Sequence, residues 1–207
     1  MYDLADVVPG AEIDPGSNVL IAGPPMTGKR QIGFEILRSG ADRGDGSIIV
    51  TTKDSADKVL DEFSAATEDE GSDVGIVDCV TKQRGIGTVD DDARVKYASS
   101  PIDMTGIGIK LSKFLEKFYE RRECTENRIL LHSVSTLLMY SDLQTVFRFL
   151  HVFTGRIQSA NALGVYIIDS TAHDEQTMNT LKQLFDGVVD VREGTDGPEI
   201  TTAGIPS

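Results

Sequence analysis

Residues 23–30, GPPMTGKR, follow directly on the apolar run NVLIA at 18–22, and Gly23, Gly28 and Lys29 stand in the spacing Gly-x-x-x-x-Gly-Lys. In that spacing, small residues let successive backbone N–H groups turn inward round phosphate oxygens, and the lysine reaches the outer phosphates. The short apolar run bounded by glycine predicts a central parallel strand covered on both faces, with a helix following from about Lys29. The N-terminus of such a helix adds its own favourable field for an anion. The chain must therefore set strand, loop and helix in one unit, with the loop at the carboxyl end of a sheet. The predicted phosphate-binding residues are Gly23, Pro24, Pro25, Met26, Thr27, Gly28 and Lys29, with Arg30 beside them.

Arg30 departs from the pattern. A Ser or Thr there normally places its hydroxyl on Mg²⁺, whereas a guanidinium has five donors and no acceptor and cannot ligate a cation. Two readings stand: Arg30 balances phosphate charge, or it points out into solvent.

The rest of the chain alternates strands and helices. GSIIVTT (46–52), VGIVDCV (74–80), RILLHSVSTLL (128–138, strand running into loop), GVYIIDS (164–170) and GVVDVRE (187–193) read as strands, and PEITTAG (198–204) pairs with the last through the GTDG turn as a hairpin. Helical spacing marks 56–66, then 104–122 with Asp103 as N-cap, then 141–160 with Ser141 and Gln144 in capping-box spacing, then 174–185. Residues 67–73 and 81–102, with Gly, Pro and the Asp90–Asp92 triplet, read as loops. This order predicts a mostly parallel sheet with helices on both faces, in a single domain over 1–207.

Composition narrows the function. A net charge of -13 repels phosphate backbones and argues against nucleic acid as partner. It also fits the screened cytosol of a halophilic archaeon, or an ordinary acidic cytoplasmic protein. Cys79 and Cys124 are isolated, with no metal-ligand or disulfide pattern. No apolar run approaches the ~18 residues of a membrane span, and the N-terminus carries no signal-peptide pattern, so a cytoplasmic protein with no membrane contact is expected. Arg121, Arg122 and Arg148 neighbour aromatic residues but sit at the solvent edges of predicted helices.

Taken together, GPPMTGKR, the long segment before SSPIDMTGIG, ILLHSVSTLL and the final DGVVDVREG resemble the RecA-like ATPases of the KaiC and GvpD group, above all compact haloarchaeal KaiC-like proteins. The resemblance spans nearly the whole chain, with the P-loop as its specific motif. It implies an α/β, three-layer αβα RecA-like P-loop NTPase fold with a C-terminal β-hairpin, ATP or ADP as ligand, assembly into an oligomer or with a protein partner, and roles in signal transduction, regulation or recombination.

Set against that family, two more positions change. Where the second strand ends in one or two Glu that orient water, VTTKDS holds Lys53 and Asp54. A protonated lysine accepts no proton, and Asp54 is either a substitute base or the N-cap of the helix at 56–66. Where the fourth strand ends in an Asp for the Mg²⁺-bound water, LLHS holds His132, read as a structural histidine or a transition-metal ligand, since it suits hard Mg²⁺ poorly. His173 and Asp174, after the fifth strand, read as a γ-phosphate sensor or as a loop His followed by a helix N-cap. Arg30, Lys53 and His132 thus subtract from Mg²⁺-assisted hydrolysis, leave the cradle intact, and are expected to line the nucleotide and offset triphosphate charge in place of Mg²⁺. Three functions follow: an ATP-binding regulatory module with impaired hydrolysis, a pseudo-ATPase; an active ATPase of repair, recombination or motility regulation in which Asp54 or the Asp triplet stands in; or a scaffold without nucleotide.

Overall fold

The computed structural model describes residues 1–4, 7–8, 10–64, 73–85, 89–120, 126–195 and 197–205. A two-stranded ribbon, β1 (Tyr2–Asp3) and β2 (Glu12–Ile13), precedes the main sheet. The elements then run β3 (Asn18–Gly23), α1 (Lys29–Ala41), β4 (Gly46–Thr51), α2 (Ala56–Ser64), β5 (Val74–Asp78), α3 (Thr81–Arg84), β6 (Val95–Tyr97), α4 (Met104–Glu120) and β7 (Asn127–His132). There follow α5 (Val134–Tyr140), α6 (Leu143–Ser159), β8 (Leu163–Asp169), α7 (Glu175–Lys182), β9 (Gly187–Gly194) and β10 (Gly197–Ala203).

The eight-stranded sheet has the order β10-β9-β3-β8-β7-β4-β5-β6 and is parallel except for the β9/β10 hairpin, where Val191 lies opposite Ile200. The side chains of β3 alternate between two cores, as the pleat requires. Val19 and Ile21 join Ile32, Phe34 and Ile36 of α1 and Val59 and Phe63 of α2 on one face. Leu20 and Ala22 join Ile107, Leu111 and Phe114 of α4 and Leu150 and Phe153 of α6 on the other. Burying each such side chain stabilises the fold by about 1.5–3 kcal/mol, which is why two helical layers close over one sheet. The three-layer architecture and the C-terminal hairpin are those expected from the sequence.

Because β3, β8, β7 and β4 are neighbours and all parallel, the loops that follow them open at the same edge of the sheet. Crevices of this kind are where open α/β sheets place ligands.

Several local expectations are corrected. The stretch after His132 is no loop but α5, capped by Ser133, whose Oγ accepts from Thr136 N–H at 3.3 Å. The cap of α6 is Asp142 and not Ser141: Asp142 Oδ1 accepts from Thr145 N–H at 2.9 Å, and Asp142 Oδ2 from the Thr145 hydroxyl. Within 81–102 the chain forms α3 and the edge strand β6, and the Asp triplet serves the turn before it: Asp92 Oδ1 accepts from Arg94 and Val95 N–H, and Asp91 Oδ1 from Tyr97 N–H. Asp103 and Asp174 cap α4 and α7, accepting from Gly106 and Thr177 N–H. Residues 67–72, Arg121, Arg122 and Cys124 lie outside the described residues, and Cys79 is a buried free thiol. Among the described residues no helix is long and apolar enough to cross a membrane.

Candidate functional site

The loop between β3 and α1 is held from inside. Gly23 is the last residue of β3, and a Cβ there would run into the carbonyl oxygen of Val191 on β9, so only glycine lets the two strands approach. The Thr27 hydroxyl donates to Pro24 O at 2.9 Å. Gly28 has φ 84, a left-handed conformation that swings the chain into α1 at little steric cost. The backbone N–H groups of residues 27–31 find no acceptor among the described residues, and the first closing bond of the helix is Ile32 N–H to Gly28 O at 3.1 Å. Successive free donors at the N-terminus of a thirteen-residue helix make an anion cradle.

Lys29 is 5% exposed. Its ammonium donates to Pro24 O and pairs with Asp169 Oδ1, at the end of β8, at 2.9 Å. A carboxylate of the protein therefore sits where an anionic ligand would draw the lysine. Asp169 is also anchored through its backbone: its N–H donates to Ser135 Oγ at 2.9 Å, and that hydroxyl lies 2.8 Å from His173 Nε2. His173 and the strand end are thus joined through Ser135, a residue to which the sequence reading gave no role.

Arg30 does not point into solvent. One Nη pairs with Asp54, and the other lies 2.7 Å from Glu62 Oε2 on α2, though without the alignment of a hydrogen bond. The guanidinium rests over the Phe34 ring at 5.1 Å, and its Nε is buried with no acceptor among the described residues. Asp54 in turn takes Lys58 Nζ at 2.8 Å. Burial pushes the Asp54 carboxyl up, but bonds and charges from Lys58 and Arg30 outweigh it and hold the group below the usual aspartate range. Asp54 is not the N-cap of α2. Asp78, at the end of β5, takes that part, its Oδ2 accepting from Ala56 N–H at 2.8 Å.

Across the crevice, His132 ends β7 and is 8% exposed. Burial first, and the Arg30 charge second, depress its pKa to about 4, so the ring is neutral at pH 7. Thr52 ties the strand ends together: its hydroxyl accepts from Ser133 N–H at 2.7 Å and faces His132 O at 3.0 Å and Ser133 O at 3.1 Å. Lys53 is exposed at the rim, and its carbonyl accepts from Arg84 at 3.2 Å.

The His132 pKa has a measurable consequence. In the unfolded chain the ring takes its proton near pH 6.5, and in the folded chain near 4. Stability is therefore full above 6.5 and falls as pH drops towards 4, by on the order of 3 kcal/mol. The lowered carboxylates, Asp54 among them, lose their contribution chiefly as pH falls below the ordinary aspartate value of 3.8, at the foot of this window. Urea midpoints at pH 7 and pH 4.5 are expected to differ much less in His132→Gln than in the unaltered chain.

An open cavity of about 1030 Å³ brings together Pro25, Met26, Thr27, Gly28, Lys29, Arg30, Lys53 and His132 from the predicted set, and adds Thr52, Ser135, Glu62 and Asp169. Gly23 and Pro24 support the loop from behind. Among the described residues no group of three or more His, Cys, Asp or Glu is placed to hold a metal ion. The donors at the positions of interest are a paired guanidinium, an ammonium and a buried imidazole, a set that suits anions better than Mg²⁺.

No curated protein matches the chain in sequence. Among solved structures it is similar to the uncharacterized protein PH0321 from Pyrococcus horikoshii, crystallised in complex with an unknown peptide, at a TM-score of 0.68 and 15% identity, covering 93% of this chain and 84% of that one. It is also similar to the KaiC-like protein PH0186 from Pyrococcus horikoshii OT3, at a TM-score of 0.61 and 14% identity, covering 97% and 82%. At such identities the likeness is one of fold, and the fold is KaiC/RecA-like. In sequence, residues 16–191 match the family of unknown function DUF7504, and the chain belongs to that family.

Proposed function

We propose that the chain binds ATP or ADP on the loop at 23–30, hydrolyses it poorly or not at all, and works as a one-domain cytoplasmic regulatory module. The observation that carries this reading is the cradle itself: free N–H groups over residues 27–31 around a buried Lys29, whose present partners are a carbonyl and the Asp169 carboxylate. The chemistry of the neighbouring positions supports the pseudo-ATPase part. Phosphoryl transfer to water needs a group that orients the nucleophile and a cation that takes up developing charge. Arg30 is bound to Asp54, Lys53 is a cation, and His132 is neutral and buried. Asp54, the carboxylate an active ATPase would draw on, is held by two cations. The unknown peptide held by PH0321 supports a protein segment as the partner to which such a module reports.

The test is an ATP titration of the intact chain by calorimetry, with and without Mg²⁺, alongside phosphate release. Saturable binding that changes little with Mg²⁺, with negligible release, is the expected result. Binding that appears only with Mg²⁺ and is followed by steady turnover would sink the pseudo-ATPase reading.

A further inference from the structure

Arg30 joins two parts of the molecule that the cradle alone does not join. It belongs to the first turn of α1, next in sequence to Lys29, while both of its acidic partners come from the segment after β4: Asp54 just before α2, and Glu62 two turns along it. Lys58, between them on α2, lies 2.8 Å from Asp54 and 3.9 Å from Glu62. The four charges alternate in sign and sum to zero. Under them, Phe34 of α1 meets Phe63 of α2 edge-on at 6.2 Å. Among the described residues the ionic part of this α1–α2 joint runs through one guanidinium, which also lines the cavity and has a buried Nε still without an acceptor.

Resting on the reading that the cradle takes a nucleoside triphosphate, we propose that Arg30 is a two-position coupling residue: phosphate bound beside Lys29 draws the guanidinium off Asp54 and Glu62 and thereby loosens α2. The physical basis is competition for a planar fork of donors. Carboxylates and phosphate oxygens both suit that geometry, and a triphosphate offers more negative charge than either carboxylate. Once Arg30 leaves, Asp54, Lys58 and Glu62 are left with one positive charge between two negative ones along α2 and its approach. What α2 loses is its ionic tie to α1, not its own i,i+4 pairs, so the helix is freed from its neighbour as a unit. A serine or threonine at position 30 would offer no such link, because a hydroxyl reaches neither carboxylate as a cation does. The departure that removes a metal ligand therefore supplies a route by which ligand occupancy is reported on the α2 surface.

The experiment is amide hydrogen exchange, read by mass spectrometry over α2, with ATP, with inorganic tripolyphosphate, and with potassium chloride matched in ionic strength. Calorimetry on the same samples establishes whether the probe binds. The expected result is a several-fold faster exchange of α2 with ATP or tripolyphosphate and no change with chloride. In Glu62→Gln, exchange is expected to be raised already without ligand, with a smaller further increase on binding. Arg30→Lys, which keeps the charge and loses the fork, is expected to bind but to transmit little to α2. ATP that binds while α2 exchange stays the same or slows would overturn the coupling and leave the nucleotide-binding reading standing. An absence of ATP binding in the unaltered chain would overturn both, since the device would have no trigger.

Discussion

Asp45→Ala is expected to lower the unfolding free energy by about 3–5 kcal/mol. Arg128, the second residue of β7, is 1% exposed, and its Nε donates to Asp45 Oδ2 at 2.8 Å. Its Nη1 donates to Ile36 O at 2.8 Å and to Ser39 Oγ at 3.2 Å, and its guanidinium lies 5.3 Å from the centre of the Tyr2 ring. Burial already pushes the Arg128 pKa down, and the bond to Asp45 is the chief opposing influence. Removing the carboxylate leaves a charge in the core with only neutral acceptors. The backbone gives no room for rearrangement, since a Cβ on Gly40 would strike Arg128 and come within 2.7 Å of Asp45 Oδ2. Replacing both partners together, Asp45→Leu with Arg128→Met, is expected to recover most of the loss, because the penalty belongs to the unpaired charge. Urea unfolding of the three chains measures this, and a single variant within about 1 kcal/mol of the unaltered protein would contradict it. The pair sits at the starting ends of β4 and β7, across the sheet from the cradle, so ATP affinity measured well below the unfolding transition should not change.

Lys29→Ala acts at the other end of the sheet. It is expected to weaken ATP binding ten- to a hundred-fold or more, the about 1.5–3 kcal/mol of a hydrogen bond between charged groups. Stability should change little, because the ammonium's present bonds are to one loop carbonyl and to a partly exposed carboxylate. Asp169→Asn has the opposite sign. It removes the internal anion that competes for Lys29, so ATP affinity is expected to rise several-fold while the backbone bond from residue 169 to Ser135 remains. Calorimetry on the two variants at one salt concentration reads both effects. An equal affinity in Lys29→Ala and the unaltered chain would remove the loop at 23–30 from any account of nucleotide binding.

What could be read from the sequence and what could not divides by distance along the chain. The strand, loop and helix around Gly23, Gly28 and Lys29 are specified by neighbours within a dozen residues, and the order of strands follows from apolar runs of the right length. Asp103 and Asp174 were legible as caps because a capping carboxylate reaches only three residues ahead. The misreadings are of two kinds. In HSVSTLLMY the polar residues after β7 read as a loop, because a seven-residue helix set directly on a strand end is too short to show a period, although its cap, Ser133, is local. In the second kind the partner is remote: the cap of α2 comes from Asp78, 22 residues on, and the company Arg30 keeps is set by Asp54 and Glu62 from the next segment. For Arg30 the open choice between phosphate and solvent had a third answer that only the packing of α2 on α1 supplies. Asp169 was the most readable omission, a carboxylate ending the strand beside the phosphate loop.

The sheet order also bears on the sequence in which the protein can take shape as it leaves the ribosome. The pairs β4–β5 and β5–β6 are complete once residue 97 has emerged, and β7 joins them by residue 132. Strand β3 was made earlier than any of these, yet it pairs only with β8 and β9, and its Gly23 is walled by Val191. For some 140 residues of synthesis the phosphate loop hangs from an unpaired strand. Loop closure over such a separation is slow, and an apolar strand left open through it is exposed to wrong partners. The site is then assembled late, since the strand that carries its loop finds a neighbour only when β8 has emerged.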